Sequence, residues 1–199
     1  MSGAVKRETE FFFPTVLSVI KLPDAEALNA KLLRAIADVR ERYKDEGSDP
    51  WSDFFTTYKS QNQLYELPGF EDLTQHVQRE ADQFAKFLGL EVQLYFTGCW
   101  LNVYGPNHSQ DLHVHTKQVI SGCYYVQAPP GTPGLSVFSP FSEMMLDAPI
   151  ATENEMNAKF VEIPAVAGEL ILFRSWTRHC VRANRSPGER ISIAFNLSI

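Results

Sequence analysis

VISGCYYVQAPPGTPGLSVF, residues 119–138, is the stretch that decides the fold class. Its two ends are short runs rich in β-branched and aromatic residues. Between them, Ala128–Gly134 holds three prolines and two glycines. Runs of that kind form strands, and a Pro/Gly cluster makes a compact turn. The same alternation continues on both sides after Gly89. VQLYF, CWLNVY, FVEIPAV, ELILF and ISIAFNLSI join VISGCYYVQ and LSVF to predict seven or so strands. One long connection, roughly residues 140–159, interrupts them. It carries Glu143, Asp147, Glu153 and Glu155 with a single basic residue. It reads equally as a lid over a site or as a solvated loop.

Upstream the period changes. Pro23 and Asp24 start a helix whose apolar residues recur at Leu28, Leu32, Leu33, Ile36 and Val39, with Gly47 as a stop. A second helix is predicted from about Phe70 to Leu88. Phe70, Leu73, Val77, Ala81, Phe84 and Leu88 share one face, and Gly89 ends it. His76 falls near the edge of that face, as a structural or solvated residue. No repeat, low-complexity tract or linker divides the chain. Residues 1–199 therefore read as one domain, helical to about residue 90 and β from about 91. Two helices packed on an antiparallel sandwich or barrel make an α+β layout.

With 44% apolar and 21% charged residues, the 199-residue chain has an ordinary globular composition and enough length for a sizeable core. Its formal charge of −6 argues against nucleic acid, although Arg174, Arg178, Arg182, Arg185 and Arg190 cluster in sequence. MSGAVKRETE runs into FFFPTV without the features of a signal peptide, and no run approaches membrane-spanning length. The expectation is a cytoplasmic protein without a membrane partner. Cys99, Cys123 and Cys180 contain no CxxC, and all three are expected as small buried core residues. The N-x-S triplets at Asn107, Asn184 and Asn196 are read as chance matches.

Three histidines can meet in space. His113 and His115 flank Val114 in DLHVHTK; in an extended segment, residues two apart point to one face. His179 follows the strand ELILF. A pair from one strand and a single ligand from a distant one would hold a mononuclear metal, and imidazole suits iron, zinc, copper and nickel alike. An H-x-H pair also occurs on solvent-facing strands. Arg190 adds support. It opens the last strand, with Ser192 two residues on and on the same face. An arginine fork with a hydroxyl is suited to grip a carboxylate. The alternative is an arginine paired with a surface glutamate.

HVHTKQVISGCYYV (residues 113–126) and LILFRSWTRHCVRANRSPGERISIAFN (residues 170–196) resemble the core of the 2-oxoglutarate- and Fe(II)-dependent oxygenases, in particular the prolyl-hydroxylase-like branch. The resemblance spans roughly residues 95–197 and does not reach the N-terminal helices. It implies a double-stranded β-helix, or jelly roll, with the helices packed on one sheet. It implies iron on His113 and His179, and 2-oxoglutarate on Arg190 and Ser192. Tyr125 becomes a further hydrogen-bond donor to that co-substrate, with Tyr124 as the fallback. The family has a carboxylate where this chain has His115, so the implied third ligand is a histidine; Asp111 is the alternative, off the motif. Trp100, Asn102 and Tyr104 alternate on one face of CWLNVY, and Asn102 and Tyr104 are candidates for the pocket. Gln110 and Asn196 lie near it.

The implied activity is an oxygenase, most simply a hydroxylase, acting on a small molecule or peptide. The acidic connection hints at a cationic or polar substrate, and a homodimer is left open. Two rival readings stand beside it. One is a three-histidine iron dioxygenase or zinc enzyme that does not use 2-oxoglutarate. The other is a jelly-roll protein that binds a small carboxylate without turnover.

Overall fold

The computed structural model describes residues 5–10, 12–46, 54–143, 149–154 and 156–199. Helix α1 (Ala25–Arg42) buries Leu28, Leu32, Ala35, Ile36 and Val39, while Leu33 turns outward. It ends ahead of Gly47, which lies outside the described residues. Helix α2 (Glu71–Phe87) buries Leu73, Val77, Ala81, Phe84 and Ala85. Gly89 stops it as expected. At φ 72° it takes the left-handed conformation that lets the Leu90 N–H return to the Ala85 carbonyl at 2.9 Å.

Ten strands form two antiparallel sheets among the described residues. The larger has the order β1 (Leu17–Lys21), β8 (Glu169–Arg174), β5 (Ile120–Gln127), β10 (Arg190–Ser198), β3 (Tyr95–Tyr104), β2 (Phe55–Thr56). The smaller has the order β4 (Gln110–His113), β9 (His179–Val181), β6 (Leu135–Phe138), β7 (Phe160–Ile163). From β3 onward the chain alternates between the sheets, apart from the β6–β7 hairpin. That winding is the jelly-roll double-stranded β-helix, with both helices packed on the outer face of the larger sheet.

The central strands read as nearly unbroken apolar runs because both of their faces are covered. Leu170, Leu172, Ile191, Ile193, Phe195 and Leu197 face the helices. Ile171, Phe173, Tyr125 and Tyr104 face the space between the sheets with Leu135 and Val137 of the smaller sheet. Each such side chain contributes about 1.5–3 kcal/mol through burial. Gly122 lets β5, β8 and β10 close up: a Cβ there would lie 2.2 Å from the Ile171 carbonyl oxygen and 2.6 Å from the Phe195 ring.

Several sequence expectations are corrected. VQLYF and CWLNVY are not two strands; Tyr95–Tyr104 is one ten-residue strand. β1 and β2 were not anticipated. β1 is an edge strand whose pairing partner, β8, lies far along the chain, so no local pattern announces it. Cys99 and Cys123 are buried, but Cys180 is half-exposed, because β9 belongs to the sheet whose outer face carries no helices among the described residues. In the 140–159 connection, Glu143 is spent on an ion pair with Arg178. Asp147 and Glu155 lie outside the described residues. No helix among the described residues is long and apolar enough to cross a membrane.

Candidate metal and carboxylate site

His113 closes β4 and His179 opens β9, and the two are direct cross-strand partners. Their ring centroids are 4.3 Å apart, and each ring centroid lies 5.2 Å from that of His115. One ring nitrogen from each of the three falls within 4.8 Å of the others. His115 arrives by a different route from the one its spacing suggests. The strand ends at His113, and His115 is placed instead by its own N–H, which donates to the Ser175 carbonyl at 3.0 Å.

Two of the rings are held by their inner nitrogens. His113 Nδ1 lies 2.7 Å from the Asp111 carbonyl oxygen, and His179 Nδ1 lies 2.8 Å from that of Thr177. A carbonyl only accepts, so each Nδ1 carries the proton and each Nε2 lone pair is free for an ion. Burial pushes His179 down to about 3, with the neighbouring His113 adding to the effect. Burial and His113 likewise push His115 down to about 4, and burial lowers His113. All three are therefore neutral near pH 7, the form that binds a metal. Asp111 contributes its backbone to this arrangement, and its carboxylate is not part of the cluster.

The larger sheet supplies the other half of the site. Ser192 of β10 is opposite Tyr125 of β5 on one side and Asn102 of β3 on the other, and Arg190 is opposite Tyr104. Arg190 is 1% exposed, with its guanidinium carbon 4.8 Å from the centroids of both the Tyr104 and Tyr125 rings. Its Nε donates to the Pro133 carbonyl at 3.2 Å and Nη1 to Ser192 Oγ at 3.2 Å. The adjacent Glu189 is held by Arg40 of α1, so the surface-glutamate alternative fails. Among the described residues no carboxylate pairs with Arg190. A buried cation without a counter-ion is costly, and an anionic ligand would relieve that cost. The Tyr125 hydroxyl is also buried without a hydrogen-bond partner. Burial raises its pKa, so it remains a donor. Tyr124 faces the helices instead and donates to Asn29.

Both halves open into one cavity of about 270 Å³ that contains the three histidines, Arg190, Ser192, Asn102, Tyr104 and Gln110. Asn102 accepts a hydrogen bond from Thr56 at 2.8 Å, and Tyr104 stacks on Phe54 at 4.1 Å. Phe54, Thr56 and Tyr58, which also line the cavity, were not anticipated. They lie in a segment with no motif, where only the two-residue strand β2 pairs with β3. Asn184, in one of the chance N-x-S triplets, is buried, in keeping with that reading, and acts as a brace. Its amide donates to the Tyr104 and Gly188 carbonyls, fixing the loop that leads into Arg190.

Neutral nitrogen donors and an uncompensated guanidinium lining one cavity fit a divalent ion and a dicarboxylate. A family model described as "Putative 2OG-Fe(II) oxygenase" matches residues 98–196. No curated protein matches the chain by sequence. Among solved structures, a Pseudomonas putida prolyl-4-hydroxylase aligns over 92% of each chain at 18% identity and a TM-score of 0.61. SnoK, a non-heme alpha-ketoglutarate-dependent carbocyclase from nogalamycin biosynthesis, aligns over 92% of this chain and 79% of its own, at 15% identity and TM-score 0.65. HygX from Streptomyces hygroscopicus, solved with nickel, 2-oxoglutarate and hygromycin B, aligns over 92% of this chain and 83% of its own, at 12% identity and TM-score 0.57. At these identities the likeness is one of fold.

Proposed function

We propose that this chain is a 2OG-Fe(II) oxygenase with Fe(II) and 2-oxoglutarate as cofactors, and a hydroxylase in which His113, His115 and His179 hold the iron. Arg190, Ser192 and Tyr125 receive the far carboxylate of 2-oxoglutarate. The observation that carries this reading is the pairing of the histidine cluster with a buried, uncompensated Arg190 in one cavity. It also separates the reading from a zinc enzyme or an iron dioxygenase without a keto acid, neither of which needs a buried guanidinium there.

His113, His115 and His179 would hold the iron, which when bound would supply the redox chemistry that couples decarboxylation of 2-oxoglutarate to oxidation of a substrate C–H bond. The chain's own residues bind and orient. Arg190 offers charged N–H donors from a socket between two tyrosine rings. Ser192 and Tyr125 add hydroxyls at the same level, so the dicarboxylate is presented in one direction. Phe173, Val181 and Leu135 make an apolar wall that limits water around the histidines. His115, a neutral donor where the family has a carboxylate, removes one negative charge from the metal's surroundings. Glu143 is already paired with Arg178, and the described lining of the cavity has no carboxylate. A cationic or polar substrate, suggested by the acidic connection, stays part of the proposal. A small molecule or peptide remains the proposed substrate.

The test is anaerobic loading with Fe(II), calorimetric titration of 2-oxoglutarate, and then succinate release on admitting O₂. Binding and release that both require Fe(II) are expected. Protein that holds stoichiometric Fe(II) yet does not bind 2-oxoglutarate would overturn the proposal.

A further inference from the structure

Three polar side chains are buried where the two sheets meet beside the histidines. Ser121 of β5 is 1% exposed, Ser175 just after β8 is 0%, and Asn196 of β10 is 7%. Ser121 Oγ lies 2.7 Å from Ser175 Oγ and 2.7 Å from Asn196 Oδ1. A hydroxyl has one proton and an amide oxygen only accepts. Ser121 therefore donates to Asn196 and accepts from Ser175, giving the chain Ser175 to Ser121 to Asn196. An apolar trio would fill this space without the desolvation that three polar groups carry, so the trio asks for a reason beyond packing.

The reason lies on the other side of Ser175. Its carbonyl accepts the His115 N–H at 3.0 Å, and His115 lies past the end of β4, outside the ladder that places His113 and His179. We infer that Ser121, Ser175 and Asn196 are positioning residues for the third metal donor, fixing the Ser175 carbonyl and through it the reach of His115 into the cluster. This inference rests on the reading of His115 as a ligand. β5 and β10 are central strands of the larger sheet, so the trio ties a donor that lies outside the β4–β9 ladder to the centre of that sheet. The neighbouring Thr177 carbonyl serves His179 in a similar way, but His179 also has its ladder bonds. His115 has only the Ser175 contact among the described backbone bonds.

The test is a double-mutant cycle read by metal affinity. Co(II) and Fe(II) dissociation constants are measured anaerobically by chelator competition for the parent, Ser121→Ala, His115→Ala and the double variant. Thermal unfolding of the metal-free proteins runs alongside. Ser121→Ala is expected to weaken metal binding by about 10- to 100-fold in the parent, the range for groups that orient a ligand. In the His115→Ala background the same change is expected to have less than about a threefold effect, because the donor it positions is gone. An equal factor in both backgrounds means that the trio only supports the fold, and overturns the inference. So does unchanged affinity in Ser121→Ala while His115→Ala binds weakly. If His115→Ala binds metal as tightly as the parent, His115 is no ligand; the proposed site then fails first, and this inference with it. Ser175→Ala, which removes the proton donor and keeps the Ser121–Asn196 bond, gives the same cycle if Ser121→Ala does not fold.

Discussion

Arg190→Met separates ligand binding from folding at one residue. The guanidinium is buried between two tyrosine rings and makes two hydrogen bonds at 3.2 Å, neither to a charged partner. Hydrogen bonds to a charged group contribute about 1.5–3 kcal/mol. Removing them should therefore weaken 2-oxoglutarate binding by roughly ten- to over a hundredfold. Stability without ligand should move the other way or stay level. Methionine is apolar and of similar reach, and replacing an unpaired buried charge with it removes a desolvation cost. The two effects meet in a thermal-shift assay. A ligand at a hundred times its dissociation constant stabilises by about 2.7 kcal/mol. For a chain of this size that amounts to about 5–10 °C, at roughly 2–4 °C per kcal/mol. The Fe(II)-loaded parent should gain that shift on adding 2-oxoglutarate; at the same concentration a variant weakened ten- to a hundredfold should gain only about 1.4 to 0.4 kcal/mol, or roughly 1–6 °C. A variant that keeps the full shift would refute the carboxylate role. One that loses more than about 3 kcal/mol without any ligand would show that Arg190 is a structural cation.

Four further outcomes follow from the same geometry. Tyr125→Phe removes a hydroxyl that has no partner in the ligand-free protein. It should leave stability unchanged while lowering 2-oxoglutarate affinity by roughly ten- to a hundredfold, the scale of a hydrogen bond to a carboxylate, which isothermal calorimetry can read. His113→Ala and His179→Ala should each lose stoichiometric Fe(II) by elemental analysis with the fold intact by circular dichroism; full occupancy in both would remove them from the site. Burial places His115 at about 4 and His179 at about 3, below the unfolded value of 6.5. The unfolded chain therefore binds protons first: metal-free stability should be full above about pH 6.5 and fall as pH drops toward 4 and 3. Denaturant melts of His179→Leu should show a shallower fall, and equal slopes in the two proteins would contradict the burial account. Gly122→Ala has no room for its methyl against the Ile171 carbonyl and the Phe195 ring, so a loss of about 1–3 kcal/mol is expected in urea melts.

The sequence and the structure part company where neighbours in space are not neighbours along the chain. β5, β6, β7, β8 and β10 were legible because each carries its own pattern of β-branched and aromatic residues, with Pro/Gly turns between several of them; the three-residue β9 has no such pattern. The same holds for α2, whose apolar spacing and Gly89 are both local signals. The histidine set and Arg190 were legible through their order in the motif. β1 was not, since LSVIK becomes a strand by pairing with β8. His115 joins the cluster as expected but by way of Ser175, and no spacing rule contains that contact. Phe54, Thr56 and Tyr58 were missed for a similar reason: a segment without periodicity lines a cavity only once β3 gives it an edge. The place of Tyr125 in the run favours it over Tyr124, and the pleat sends Tyr124 to the helices.

The cross-strand pairing of His113 with His179 has a kinetic consequence. The two residues enter from strands far apart in sequence, and Arg190 follows on the last strand. Contacts of such long sequence separation slow folding, because loop closure must precede them. A nascent or partly folded chain can hold at most a fragment of the donor set. Tight metal uptake should then lag behind collapse and coincide with pairing of β4 with β9. Iron would act as a reporter of completed molecules rather than as a nucleus around which the chain condenses.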